Sequence, residues 1–526
     1  MVKKKSIVIS VLTLTLLIIL SSCGGADLPA QDEIAIAQVA LYTQPIQDWD
    51  PHTSVNTENQ IYFNTYETLL RYDPNKDEFI PVLATDYTKT GDGLIWTFTL
   101  REGVKFHDGT DFNADAVKFS IDRIMRMAKG ASYIWAPVKE VRVVDEYTVE
   151  IELSENAPLD IICSSSQAAF IASPTSIGDD DQAGTTWLAQ GNICGTGPYM
   201  LQSQTPGSEV ILTQFPDYWA GWDGNHFDKV VFSLVGENSS RRQLIESGEI
   251  DVVTNLMPDD LIALEGNPNV EVVISDSYKS LTAFLNTKKA PLDDKIVRQA
   301  LAFSYPYQSY VDHIKLGKFG SIAVDTLLPK GFWGALDKNP YVFDLEKAKS
   351  LLEEAGYPGG GIELTVTSVS GMDDRKKILE IWKSELDKIG VTLDIVLMQA
   401  DGMLSLANSA DRTLAQDIFV IGNWPDLISP NSYYSSQVKS SGSWNFSYQD
   451  DKALDKAIDD AYIMSGIDRE KSEKMFKDIG AKIAEECLTI NLGDDKGAMV
   501  INKSFKGFVP NMAYEMVVFM YDCYRD

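Results

Sequence analysis

The sequence predicts an α/β protein with a compact α+β insertion, on a strand–helix–strand rhythm after residue 360, an alternating hairpin pattern near residues 96–153, and a composition suited to a large core. Ile362, Leu364 and Val366 alternate as a strand, and Ile378, Trp382, Leu386 and Ile389 share one helix face. Gly390 stops that helix, and Val391, Leu393, Ile395 and Leu397 form the next strand. Leu345, Ala348, Leu352 and Ala355 make a helical stripe between Asp344 and Gly356, and further helices are expected over 293–304 and 451–463. In the insertion, bounded at residues 70–194, Trp96, Phe98 and Leu100 alternate with threonines, and Val149, Ile151 and Leu153 with glutamates. Asn113 caps a helix that starts at Ala114. No fixed-period repeat is present, which argues against a solenoid.

Hydrophobic residues make up 44% of the chain, and 22 tyrosines and 10 tryptophans point to a packed core. A length of 526 residues suggests roughly three folding units. The formal charge of -30 argues against nucleic acid or an anionic lipid surface as a partner. Lys3, Lys4 and Lys5 precede an apolar run from Ile7 to Leu20, the pattern of a secretory signal. Leu20, Ser21, Ser22 and Cys23 resemble the bacterial lipobox, so residues 1–22 are expected to be removed and Cys23 lipidated. Residues 23–33 would then be a flexible tether, and the body would meet the membrane only through its acyl chains, on the extracytoplasmic face. An ordinary cleaved signal with an incidental cysteine is the alternative. The four other cysteines permit a Cys163–Cys194 pair and a Cys487–Cys523 pair, or free buried thiols, since spacing does not decide connectivity.

Catalytic and cofactor signals are weak. Asp111, Asn113 and Asp115 have calcium-loop spacing, but Ala116 stands where glycine is needed and Asp122 where glutamate is, so a helix cap explains them better. His52, His107, His226 and His313 lack the spacing of a zinc site. Nucleophile elbow, phosphate loop and dinucleotide turn are all missing from the sequence. A non-enzymatic protein without metal or cofactor is expected.

The run from Trp96 to Thr110 (WTFTLREGVKFHDGT) and the FNADAV run from Phe112 to Val117 closely resemble the signature of the family 5 bacterial extracellular solute-binding proteins, the peptide and nickel group. Tyr66 to Asp73 (YETLLRYD) and Gly195 to Tyr199 (GTGPY) are similar to further landmarks of that family. So are Leu285 to Thr287 (LNT), Arg298 to Leu301 (RQAL), Ala348 to Leu352 (AKSLL) and Glu354 to Pro358 (EAGYP). The signature segment itself reads as architecture: alternating strand residues, a tight Asp108–Gly109 turn and a capped helix.

The resemblance implies a two-lobed periplasmic-binding-protein fold of class II, cluster C type, closing on its ligand about a hinge the chain crosses twice. Carried onto this sequence, the first lobe comprises 34–69, 195–285 and 491–526, and the second 286–490, with crossings near Leu285 to Thr287 and Ile490 to Gly493. It implies a monomer that hands oligopeptides or dipeptides to an ABC permease and its ATPase. The loop from Gly422 to Tyr433 (GNWPDLISPNSY) is similar to the one whose aspartate pairs with a peptide ammonium, and Asp426 falls at that position, with a turn aspartate after Pro425 as the alternative. Asn423 stands where the family commonly has tryptophan, with Trp424 one place later. The strand before this loop, Ile418 to Ile421, would place it at a sheet's carboxyl end and offer an edge to ligand backbone. Trp424, Tyr433, Tyr434, Trp444 and Phe446 are candidate cleft aromatics, as are Tyr42, Trp49 and His52 of the first lobe, with core packing as their alternative. No arginine is singled out for a peptide carboxylate. An oligosaccharide, a nickel chelate or another solute is the alternative ligand, and a signalling or adhesion lipoprotein the alternative role.

Overall fold

Two mixed sheets carry the architecture of the computed structural model, which describes residues 34–43, 45–54, 58–73 and 75–526. The signal segment 1–22, Cys23 and the tether 23–33 lie outside the described residues. In the first sheet, Ile36–Leu41 is flanked in parallel by Lys229–Leu234 and Val252–Thr254. Antiparallel strands extend it on both sides, Glu209–Gln214 and Tyr199–Thr205 beyond the former, Gly497–Asn502 and Val270–Ser275 beyond the latter. In the second sheet, Ser280–Leu285 lies between Thr489–Asp495 and Ile418–Asn423, antiparallel to both. Ile362–Val369 then runs parallel to Ile418–Asn423 and to Val391–Met398, and Gly320–Ser321 closes the other edge.

The expected strand–helix–strand unit is present. Helix Asp373–Asp387 joins the two parallel strands and fully buries Ile378, Leu379, Trp382 and Leu386 against them. Each of the three aliphatic side chains stabilises the fold by roughly 1.5–3 kcal/mol. The insertion holds a four-stranded antiparallel sheet, ordered Ala84–Lys89, Ile95–Leu100, Thr148–Leu153, Val138–Asp145. Helix Ala114–Met127 packs on it, and Asn113 accepts a hydrogen bond from Ala116 N–H at 3.2 Å, the cap the sequence predicts. His107 ties the insertion to the first sheet's side: its N–H donates to Gly195 O at 2.9 Å and its Nε2 lies 2.9 Å from Gly197 O.

The chain passes between the sheets at two adjacent places. Val270–Ser275 leads through residues 276–279 into Ser280–Leu285, and Thr489–Asp495 returns through Lys496 into Gly497–Asn502. These crossings differ from the expected ones near Leu285–Thr287 and Ile490–Gly493, because strands 280–285 and 489–495 belong to the second sheet. Both strands are buried at nearly every position. Burial on both faces marks central strands, and neither SLTAFL nor TINLGDD carries a local signal of which sheet it joins.

All four described cysteines are free and buried, so of the two readings open for them the structure has free thiols and neither the Cys163–Cys194 nor the Cys487–Cys523 bridge. Cys487 sits in the core of the second sheet with its thiol donating to Arg298 O at 3.2 Å, whereas Cys523 belongs to the core of the first. Cys163 and Cys194 both fill the insertion core as unpaired thiols. Burial pushes the Cys194 thiol up to about 11, so the side chain behaves as a small hydrophobe. No helix among the described residues is long and apolar enough to cross a membrane.

The Gly195–Tyr199 run has a packing reason. A Cβ at Gly195 would fall 2.2 Å from Thr65 O and 2.7 Å from Tyr66 Cα, and both obstacles are backbone. Gly195→Ala is therefore expected to destabilise the protein by about 1–3 kcal/mol. Gly266→Ala, where a Cβ meets nothing within 4 Å, should stay within about 0.5 kcal/mol of wild type in the same denaturant titration.

Candidate functional site

A cavity of about 250 Å³ opens where the crossing segment 276–279 meets the carboxyl ends of strands from both sheets. Tyr42 follows strand Ile36–Leu41, Trp424 follows strand Ile418–Asn423, and both line it. Ligand clefts of α/β sheets lie at such strand ends because side chains and free backbone groups from several loops converge there. Gln60 enters from helix Asn59–Thr65, Gln167 from a turn of the insertion, and Glu515 from the C-terminal segment. Lys279 comes from the crossing itself. The only charged residues in this lining are Lys279 and Glu515, paired at 2.9 Å. Burial would lower the lysine's proton affinity, but the Glu515 carboxylate overcomes it and holds the ammonium above its ordinary range.

Asp426 lies two residues beyond Trp424, outside this lining. Its N–H donates to Ser432 Oγ at 2.9 Å, and its carbonyl accepts from Ser165 Oγ at 3.2 Å. The carboxylate accepts the phenolic hydroxyl of Tyr133, from the insertion. Burial raises the carboxyl's pKa above the usual range, the Tyr133 bond opposing that rise only in part. Asp426 forms no ion pair among the described residues. A half-buried carboxylate without a cation is an unfinished electrostatic arrangement.

The other expected site residues divide. Trp424 is 56% exposed and Tyr42 42%, and both face the cavity. Tyr433, Tyr434 and Phe446 instead belong to one buried core cluster, and Tyr433 uses its hydroxyl to donate to Tyr278 O at 2.7 Å, bracing the crossing. Trp444 packs edge-on against Phe446 at 5.6 Å, away from the cavity lining, and Trp49 packs half-buried on the first sheet's core. Asn423 is buried with its Nδ2 unpaired. Gly422 leaves room for Arg375, whose Nη2 would stand 2.9 Å from a Cβ there.

His52 is structural. It is fully buried, with Nδ1 accepting from Arg123 at 2.8 Å and Nε2–H donating to Phe170 O at 3.1 Å, which fixes the neutral tautomer. Arg123 also holds Asp50 at 2.5 Å, completing a buried triad. Gln60, Gln167, Lys279 and Glu515 have no local sequence signal: they meet only through the fold.

The buried triad sets an acid response. Burial, with Asp50 opposing, lowers the His52 pKa to about 4 from the ordinary 6.5. The stability that comes from keeping it neutral is therefore complete above pH 6.5 and is lost as pH falls from 6.5 through 4. His52→Gln should lose about 3 kcal/mol less than wild type across that window, read from urea titrations at each pH. Equal losses in the two proteins would contradict the assignment.

Comparison with known proteins places this geometry. Residues 78–445 match the model of the bacterial extracellular solute-binding proteins, family 5, middle region. A probable D,D-dipeptide-binding periplasmic protein, DdpA of Escherichia coli, is 27% identical over 90% of this chain and 91% of its own. The structure of NikA from Brucella suis in complex with Fe(III)-EDTA superposes with a TM-score of 0.82 at 21% identity, covering 93% of this chain and all of that one. DppA from Helicobacter pylori in complex with the peptide STSA superposes with a TM-score of 0.74 at 24% identity, covering 93% and 98%. With residues 78–445, more than half of the chain, matching the family's model and the fold reproduced in solved structures, the chain belongs to family 5 of the bacterial extracellular solute-binding proteins.

Proposed function

We infer that this chain captures a short peptide in the cavity between its two sheets and delivers it to the permease and ATPase of an ABC importer. The observation that carries this reading is Asp426: a desolvated carboxylate beside an aromatic-walled cavity, with no cation of its own. A peptide ammonium supplies the missing charge, displacing the Tyr133 hydroxyl as it enters. Arg375 offers the complementary end, since its guanidinium packs beside Gly422 and forms no ion pair among the described residues. A volume of about 250 Å³ suits a small ligand, being below the roughly 300–1,000 Å³ of pockets for drug-sized molecules. The dipeptide-binding name of the Escherichia coli relative and the peptide complex of the Helicobacter pylori neighbour agree in class.

The protein acts by closure rather than chemistry. Two lobes, their bounds set by the crossings at 276–279 and Lys496, close on the ligand, and the ligand stabilises the closed population. The closed surface is what the permease reads. Cys23 carries the lipid that keeps this monomer at the extracytoplasmic face of the membrane.

Asp426→Asn keeps the shape of the side chain and removes its charge. Its affinity for a dipeptide should fall by about 30- to 1,000-fold in calorimetry, equivalent to roughly 2–4 kcal/mol. An unchanged dissociation constant in a folded variant would sink the assignment.

A further inference from the structure

A second cavity, of about 220 Å³, shares no lining residue with the cleft. Its walls come from helix Asn59–Thr65 and the residues after it, from residues 80–82 of the insertion, from residues 218–220, and from Phe519, Tyr521 and Asp522 near the C-terminus. No residue of the second lobe enters this lining, so a ligand here needs no lobe closure.

All but two of the polar side chains in the lining are hydrogen-bonded within the protein. Asn64 donates to Gln60 O and Val518 O and accepts from Met520 N–H, and the wholly buried Tyr66 accepts from Cys194 N–H. Glu67 accepts the hydroxyls of Thr196 and Tyr218 and the indole N–H of Trp219, while Thr68 donates to Leu70 O and Tyr521 to Gly221 O. The exceptions are Arg71 and Asp522, whose side chains form no hydrogen bond or ion pair among the described residues. Arg71 is held by stacking instead, its guanidinium carbon 4.4 Å from the centroid of Phe519. A guanidinium held by its face keeps its N–H edge free for a carboxylate in its plane. Asp522 stays in contact with solvent, and the protein packed around it raises its pKa against the opposing charges of Arg71 and His226.

One open cation and one open anion therefore share a cavity walled by the rings of Phe63, Tyr218, Trp219, Phe519 and Tyr521. An anionic solute would leave Asp522 unpaired beside it, and a cationic one would leave Arg71 so. A zwitterion satisfies both, and its apolar body fits the aromatic walls. The volume is below the roughly 300–1,000 Å³ of pockets for drug-sized molecules, which sets the scale of the solute.

We propose that this cavity is a second ligand site, taking a free α-amino acid with an apolar side chain, its carboxylate on Arg71 and its ammonium on Asp522. The competing state is a direct Arg71–Asp522 ion pair that satisfies both charges without a ligand.

Calorimetry on the full chain separates the two. The probes are L-phenylalanine, N-acetyl-L-phenylalanine, which lacks the ammonium, and phenethylamine, which lacks the carboxylate. Wild type should bind L-phenylalanine about tenfold or more tightly than either analogue, since each has lost one charge-assisted hydrogen bond. Arg71→Gln should weaken L-phenylalanine by about tenfold or more, and the isosteric Asp522→Asn, at a solvent-exposed position, should do the same. Asp426→Asn should retain wild-type affinity for L-phenylalanine, which distinguishes this cavity from the cleft. Absence of binding by wild type overturns the proposal, as does an affinity that Asp426→Asn loses while Arg71→Gln and Asp522→Asn keep it. An analogue that binds as tightly as L-phenylalanine overturns it as well.

Discussion

One antiparallel ribbon runs through both sheets, and the rest of the molecule depends on it. Val270–Ser275 pairs with Gly497–Asn502 in the first sheet, and their continuations Ser280–Leu285 and Thr489–Asp495 pair in the second. Between the sheets the two crossings stay bonded, Asp495 N–H donating to Lys279 O at 3.0 Å. The two sheets are thereby joined by two short antiparallel segments, residues 276–279 and Lys496. A double connection of this kind permits bending and resists separation. Tyr310 packs so closely on Gly493 that a Cβ would fall 2.0 Å from its ring, which fixes the ribbon on the second sheet's side. Since Lys279 both belongs to the hinge and lines the cavity, a ligand that contacts the cavity contacts the hinge.

The contacts that span the cleft are modest individually. Arg469 meets Asp77 at 3.0 Å, Lys318 meets Glu265 at 2.7 Å, and Lys89 donates to Gly466 O at 2.6 Å. The two ion pairs, both partly exposed, contribute about 0–1 kcal/mol each. In the function proposed here, Asp426 would use a ligand charge, since Tyr133 neutralises none of its own. An entering ammonium would then pair a half-buried carboxylate and favour a closed population.

Local order was legible and long-range order was not. The helix stripe at Ile378, Trp382 and Leu386, the Asn113 cap and the alternation at Trp96, Phe98 and Leu100 each express a period or a cap chemistry contained within a few residues. The sheet membership of strands 280–285 and 489–495 depends on partners about 130–200 residues away, so the hinge was expected a few residues from its place. Aromatic residues near the binding loop looked alike, yet Tyr433, Tyr434 and Phe446 pack inward and Trp424 outward, a choice made by the helix Pro430–Gln437 and its neighbours. His52 likewise turned from the cleft because Arg123, distant in sequence, needed its Nδ1. Buried thiols carry no mark that separates them from bridged ones, and the four here sit free in three separate cores.

In the proposed function a peptide occupies the cavity, pairs with Asp426 and draws the two lobes closed. Native mass spectrometry of the full chain, purified under conditions that retain bound solute, tests it most directly. The expected result is a bound mass that fragments as a short peptide and is absent from Asp426→Asn. A retained sugar or metal chelate, or a peptide that Asp426→Asn retains equally, would contradict it.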